Sequence, residues 1–342
     1  MGLRRLKESD EGEFQSISIV IAARNEEDRI LPCLQSLENL DYPINMYEII
    51  FVDDNSQDTT AEIIQSFCDK NQNWKLIRLE KKSKELRGKK NALLNGIKQA
   101  EGDLIFTTDA DCIVPPQWLK KTINYFGTGI SMVLGYSPLA YADKPYFRLL
   151  QFDNLFSVIA SAAPTKLGYP FSSVGRNLAY RKDAYKDIGG FLALKKFRSG
   201  DDIHLTSKFR YNSGGKIDFC SDHNTFVTTH IPSSGEEVFQ QQIRKNSKTF
   251  QLSGTSIFFM LSLFVYSLLT VIIPILIPEW LIPWIILILI KFALEFIPLL
   301  KAAIIFRQKS LIPFIPLMQI IYPFYIIIFS ILGTFQFYQW KK

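Results

Sequence analysis

Residues 102–112 read GDLIFTTDADC. Leu104, Ile105 and Phe106 make a short apolar run of strand type, expected over 103–107, and Thr108 leads on to Asp109-Ala110-Asp111. Pro115 and Pro116 stop any continuation. A strand ending on two carboxylates one residue apart delivers both to its carboxyl end, where open α/β sheets bind ligands. Such a pair can hold one divalent cation, directly or through water, with phosphate oxygens completing its shell. An isolated pair of aspartates also serves as a cap or turn. The neighbouring strands decide between these readings.

Upstream, apolar strands alternate with amphipathic helices. Strands are expected over 17–23, 47–53 and 74–79, and helices over 30–40, 59–70 and 90–100. This alternation predicts right-handed βαβ units on a largely parallel sheet. Asp53, Asp54, Asp109 and Asp111 then all fall at strand carboxyl ends. Downstream, a helix is expected through Phe126 and a strand near 132–135. An apolar helix over 146–163 is expected to line an acceptor cleft, followed by a loop over 164–176. Further elements are expected as a strand over 177–181, a helix over 202–211, short strands at 216–219 and 226–229, and an amphipathic helix over 236–251.

The composition then changes regime. Only eight of the 72 charged residues lie after Phe250, six basic and two acidic, so most of the net charge of +6 belongs to the tail. Residues 257–277 are uncharged and long enough to span a hydrocarbon core of about 30 Å. Residues 281–300 and 311–332 are further candidate spans, interrupted by prolines and, in the first of them, by Lys291 and Glu295. Those two lie four apart, so they neutralise each other on one helix face. Lys301, Arg307 and Lys309 lie between the second and third spans, and a cytoplasmic loop there agrees with a cytoplasmic catalytic part. A third span leaves Lys341 and Lys342 on the other side. The nearly neutral first 250 residues argue against nucleic-acid binding.

The four cysteines show no CxxC and no metal-ligand spacing, which points to a reducing compartment. The opening MGLRRLKESDEGEF lacks an apolar run after its basic residues and does not read as a signal peptide.

Several other groups can carry chemistry. Asp53-Asp54-Asn55-Ser56 contains a complete helix cap, yet adjacent aspartates exceed what a cap requires; a carboxylate there can accept the N3–H of a pyrimidine base. Glu26 is either a first-turn helix residue or a nucleoside contact. The basic run 81–90 is a solvated loop or supplies a cation to the nucleotide, and it is not a Walker A loop. Ser199-Gly200-Asp201-Asp202 is a second acidic cluster, either a cap or the base that an attacking alcohol requires. His204 lies beside it. Arg244 either meets lipid headgroups or the leaving phosphate.

Taken in order, ISIVIAARNEE (17–27), EIIFVDDNSQDTT (48–60), GKKNALLNGI (88–97), GDLIFTTDADC, GRNLAYRKDAYKDIGGF (175–191), SGDDIHL (199–205) and QQIRK (241–245) resemble the family 2 glycosyltransferases of GT-A fold. The trailing spans look like those of that family's membrane-bound synthase-like branch. The resemblance implies inverting transfer of a sugar from a nucleotide-sugar, often UDP-linked, to an acceptor hydroxyl. It implies that Glu26 and Asp54 contact the nucleoside, with Ala23 and Lys89 close by, and that Asp109 and Asp111 are the DxD pair holding Mg²⁺ or Mn²⁺ and the diphosphate. It makes Gly175 and Asn177 part of the acceptor-side loop, and Asp202 of the Asp201-Asp202 pair the general base. Gln241 and Arg244 match the first and fourth positions of the family's QxxRW signature. Its Trp is Lys245 here, so polymer synthesis by stacking on an acceptor sugar is not implied.

The expected architecture is a tail (1–15), an α/β GT-A domain with a Rossmann-like, mostly parallel sheet (16–250), and C-terminal transmembrane helices (251–342). The expected activity is a membrane-anchored glycosyltransferase acting on a lipid-linked or glycan acceptor. A nucleotidyltransferase-like enzyme and a degenerate, non-catalytic nucleotide-binding membrane protein are the rival readings.

Overall fold

The computed structural model describes residues 13–80, 86, 88–197, 200–232, 234–247 and 254–335. Most of the basic run 81–87, Ser199, Lys341 and Lys342 lie outside the described residues. The chain forms two compact units, one of residues 1–140 and 161–230, the other of 141–160 and 231–342.

The first unit is built on a sheet of strands β1 (Ile17–Ala23), β2 (Tyr47–Asp53), β3 (Trp74–Arg78), β4 (Leu104–Asp109), β6 (Ile130–Leu134), β7 (Leu178–Arg181) and β8 (Lys216–Phe219). Their order is β3-β2-β1-β4-β7-β6-β8. The first four are parallel, and β7 runs antiparallel to both neighbours. A separate two-stranded ladder pairs β5 (Cys112–Ile113) with β9 (Thr228–Thr229). The sheet is therefore mixed but mostly parallel, as expected.

Near-continuous Ile and Val runs suit strands covered on both faces. Ile19 and Ile21 of β1 join one apolar cluster with Cys33, Leu34 and Leu37 of α1 (Ile30–Glu38), Ile64 of α2 (Thr60–Cys68) and Trp118 of α4 (Trp118–Ile123). On the other face, α3 (Lys89–Gln99) lies close because Gly96 has no side chain; a Cβ there would fall 2.4 Å from Val20. The chain proceeds from β1 outward to β3, then returns to place β4 on the far side of β1. That reversal makes the carboxyl ends of β1 and β4 the edges of a crevice.

At the opposite ends, one side chain ties the parallel strands. Glu48 of β2 accepts from Ser18 Oγ of β1 at 2.6 Å and from the Glu101 N–H at 2.6 Å, and pairs with Lys75 of β3 at 2.6 Å. Ser18 Oγ in turn accepts from the Gly102 N–H at 2.9 Å.

The second unit contains the first part of α5 (Phe147–Lys166), then α8 (Gly235–Asn246), α9 (Gly254–Leu276), α10 (Leu281–Ile305) and α11 (Ile315–Thr334). Among the described residues three stretches, Ile257–Leu276, Pro278–Ile305 and Lys309–Thr334, are long and apolar enough to cross a membrane. Helix α10 runs past the expected end at 300, through Pro298. Likewise α5 passes Pro164, so the expected loop begins later. A proline removes only one N–H, and the turn there keeps the Thr165 Oγ1 bond to the Ser161 carbonyl at 2.6 Å. Lys291 and Glu295 are paired at 2.9 Å, as their spacing predicts. Within the first unit, α6 (Lys182–Asp187) has no apolar periodicity and was not expected, whereas α7 (Asp201–Asn212) was.

Candidate active site

The loops after β1 and β2 are zipped together. The Asp54 N–H donates to the Ala23 carbonyl at 2.9 Å, the Gln57 N–H to Asn25 Oδ1 at 2.8 Å, and the Glu26 N–H to Thr60 Oγ1 at 2.8 Å. Glu27 accepts from the Thr59 N–H at 3.0 Å and its hydroxyl at 2.7 Å. Asn25 and Asn55 take the left-handed conformation (φ 53° and 60°) that asparagine tolerates and that lets each loop turn back. Asp53, which ends β2, and Asp54, just beyond it, then part company. Asp53 is buried and caps Ser56 through its N–H and hydroxyl, while the Asp54 carboxylate meets Arg24 at 3.6 Å.

Across the crevice, Asp109 ends β4 and Lys89 opens α3; the Lys89 ammonium donates to Asp109 Oδ1. Burial acts to lower the Lys89 pKa, but the charge and hydrogen bond of Asp109, followed by the charge of Asp202, hold it above the usual lysine value. Burial pushes the Asp109 carboxyl up, and Lys89 followed by Arg176 brings it below the usual carboxylate range. Arg176 is held by an Nε bond to Ser137 Oγ at 2.7 Å. No signal in the sequence marks Arg176, although it lies between Gly175 and Asn177. Asp111 is half-buried and accepts from Cys112 Sγ at 3.4 Å. Cys33 and Cys112 are buried behind the pair, and burial followed by the nearby aspartates pushes both thiols far up; these are packing groups, not nucleophiles.

The second acidic cluster divides by role. The Gly175 N–H donates to Asp202 Oδ2 at 3.0 Å. A Cβ at Gly175 would lie 3.4 Å from Asp202 Cβ and 3.7 Å from Lys89 Nζ, so loop, carboxylate and cation converge on one small space. Asp201 pairs instead with the buried Lys90 at 3.2 Å, and Lys90 also donates to the Phe197 carbonyl. His204 is buried and stacked on Phe197, with ring centroids 3.6 Å apart. Asn177 is 3% exposed: its amide donates to the Tyr136 and Thr225 carbonyls at 2.7 and 2.9 Å and accepts from Trp118 Nε1 at 3.0 Å. It braces the loop that presents Gly175.

Gln241 and Arg244 lie in the second unit, one turn apart on the exposed side of α8, while Gln242 and Ile243 are buried. Ser234 caps this helix by accepting from the Glu237 N–H at 3.1 Å. Lys245 pairs with Asp153 of α5 at 2.7 Å.

Among the described residues no group of three or more His, Cys, Asp or Glu side chains is placed to hold a metal ion. The chain offers two carboxylates, that of Asp109, one oxygen of which accepts from Lys89, and that of Asp111. That number and type suit Mg²⁺ or Mn²⁺, which are commonly held by one or two carboxylates with substrate phosphates and water.

The first unit is a mostly parallel α/β sheet with acidic groups at its topological switch point, and apolar helices follow it in the chain. The description "Glycosyl transferase family 2" matches residues 18–189, half of the chain, and the chain belongs to that family. It is 26% identical over 237 residues to glycosyltransferase AglE of Haloferax volcanii, spanning 69% of this chain and 73% of that one. It is 30% identical over 217 residues to the probable glycosyltransferase YdaM of Bacillus subtilis, spanning 60% of this chain and about half, 49%, of that one. In fold it is similar to a mannosyltransferase of Pyrobaculum calidifontis solved with GDP-Man and Mn2+, with a TM-score of 0.61 at 18% identity over 98% of this chain and 92% of that one. The unit is thus of GT-A type. Family membership favours glycosyl transfer over the nucleotidyltransferase-like and non-catalytic readings.

Proposed function

We propose that this glycosyltransferase moves a sugar, with inversion, from a UDP-linked donor to a hydroxyl of a lipid-linked or glycan acceptor in cell-envelope polysaccharide or glycolipid synthesis. The observation that carries the mechanism is the meeting of Asp202, the Gly175 N–H and Lys89 beside Asp109. Asp202 takes the proton of the acceptor hydroxyl as its oxygen bonds to the anomeric carbon. The bond from that carbon to the diphosphate oxygen breaks on the opposite face, and the nucleoside diphosphate leaves with the electron pair. The Gly175 N–H fixes the Asp202 carboxylate, and Lys89 and Arg176 offer positive charge to the leaving group. Mg²⁺ or Mn²⁺ held by Asp109 and Asp111 would supply further charge to offset that on the diphosphate. Asp54 and Glu26 receive the nucleoside, near Ala23. Gln241 and Arg244 are assigned to the donor phosphates, Gly175 to the acceptor side, and Asn177 to bracing the loop that presents it.

The apolar helices are proposed to anchor the enzyme as a multi-pass protein of the cell membrane, with the catalytic unit in the cytoplasm. The cations Lys301, Arg307 and Lys309 between the second and third spans support that orientation. The deciding experiment is a panel of UDP- and GDP-sugars with Mg²⁺ or Mn²⁺, scored for nucleoside diphosphate release with membrane extract as acceptor. Release from a UDP-sugar that Asp202→Asn abolishes, with donor binding retained, is the expected result. Wild-type turnover by Asp202→Asn would falsify the base assignment, and release from GDP-sugars alone would overturn the choice of nucleotide.

A further inference from the structure

Arg148 lies on the part of α5 that belongs to the second unit. Its Nη1 donates to Gln151 Oε1 at 2.8 Å and to Ser310 Oγ at 3.1 Å. The guanidinium carbon stands 4.9 Å from the centre of the Phe314 ring and 5.6 Å from that of Phe147. Gln151 is buried and donates in turn to Gln308 Oε1 at 2.6 Å, which ties the turn after α10 to α5. The guanidinium is therefore fixed on one edge and over two rings, leaving Nε and Nη2 as a preset fork.

Lys245 and Lys291 of the same unit each have a carboxylate partner, at 2.7 and 2.9 Å. No carboxylate pairs with Arg148 among the described residues. The turn that Arg148 grips carries Arg307 and Lys309 as well, and no Asp or Glu follows Glu295 in the sequence. Arg307 adopts φ 54°, reversing the chain so that the turn lies between two stretches able to cross a membrane. Cations at such a boundary face headgroups, and a forked guanidinium matches phosphate oxygens bidentately.

We infer that Arg148, Ser310 and the cations of the α10–α11 turn bind the phosphate of an anionic membrane lipid. The inference rests on the membrane reading of these helices, not on the sugar transferred, so its failure leaves the transferase assignment standing. The full chain in detergent is titrated with phosphatidylglycerol, with diacylglycerol of the same acyl chains, and with inorganic phosphate, and bound lipid is counted by native mass spectrometry. Retention of phosphatidylglycerol, little of diacylglycerol, and no displacement by millimolar phosphate is the expected pattern. Arg148→Gln should weaken phosphatidylglycerol binding by about tenfold, and Arg148→Lys, which keeps the charge without the fork, by less. If Arg148→Gln does not fold, the double variant Arg307→Gln/Lys309→Gln in the exposed turn serves, with a loss in the same direction. Equal retention of diacylglycerol, full displacement by inorganic phosphate, or unchanged binding in the variants that fold overturns the inference.

Discussion

The Gly175 N–H donates to Asp202 Oδ2 at 3.0 Å, while the adjacent Asp201 turns to Lys90 at 3.2 Å. Two neighbouring carboxylates thus have different partners, and their variants should separate. Asp202→Asn is expected to abolish transfer, whereas Asp201→Asn should keep kcat within about tenfold, since general-base assistance contributes about 10²–10⁴. Steady-state kinetics on both variants, with calorimetric donor binding as the control, checks the assignment. Equal losses in the two would show that the pair acts as one unit.

Gly175 itself tests how closely the site is packed. A methyl group there makes ordinary contacts with Asp202 and Lys89, so Gly175→Ala should fold and lose only a few-fold in rate. The branches of Gly175→Val reach further into the space shared by base and cation. A displacement of about 1 Å can cost about 10²-fold in rate, and a loss of that order with an unchanged melting temperature is expected. A rate like that of Gly175→Ala would mean the space is not used in catalysis.

Much of this was legible in the sequence, for identifiable reasons. The first strands are apolar runs with abrupt polar ends, so their positions and the acidic carboxyl termini could be read directly. The places of Asp109 and Asp54 are legible as strand ends, and that of Asp202 as half of an acidic pair opening a helix. Arg176 is not, because an arginine in a loop gives no periodic signal and its value lies in a charge reaching Asp109 from another part of the chain. The antiparallel insertion of β7 between β4 and β6 was likewise unreadable, as strand direction depends on long-range pairing. Asp153 gives no signal of its own inside an apolar helix, and only its partners show what it does.

Glu48 predicts a pH dependence. Burial pushes its carboxyl up, but the hydrogen bonds from Lys75, Ser18 and the Glu101 N–H and the charge of Lys75 outweigh burial and hold it below the usual range. A carboxyl lowered on folding stabilises the fold above its unfolded pKa, and that stabilisation is lost as pH falls through the lowered folded value. Glu48→Gln should therefore cost about 2 kcal/mol at neutral pH. The gap from wild type should narrow in acid, below about pH 4. Melting curves of the detergent-solubilised chain across that range check it. A gap independent of pH would remove Glu48 from the account.

Gly102 predicts a packing limit at the start of the stretch that carries Asp109 and Asp111. A Cβ there would fall 2.5 Å from both the Ile17 carbonyl carbon and the Ser18 nitrogen, atoms of backbone that cannot swing away. Gly102→Ala must push β4 from β1 and disturb the Gly102 N–H bond to Ser18. A loss of about 3 kcal/mol is expected, at the upper end of overpacking costs. Little or no folded protein, or a melt lowered by many degrees, is the readout; Gly127→Ala, with open space around its Cβ, is the control that should melt like wild type.

Lys245 carries the last prediction, because it occupies the position where the family signature has tryptophan. Its ammonium bridges Asp153 at 2.7 Å and Ser157 Oγ at 3.1 Å, and Asp153 also accepts from Tyr322 of α11 at 3.0 Å. The bridge therefore joins α8 to α5 and, through Asp153, to the third apolar helix. Asp153 is 7% exposed, so removing its cation leaves a buried charge facing a neutral tyrosine hydroxyl, whereas the Lys245 side chain is 48% exposed and its loss is partly made good by solvent. Lys245→Met should cost about 1–2 kcal/mol, and Lys245→Trp at least as much, since it restores the family letter while deleting the bridge. Paired with Asp153→Asn, which neutralises the stranded carboxylate, Lys245→Met should cost less than the sum of the single losses, the mark of direct coupling. Strict additivity in thermal melts would show that the bridge does not hold α8.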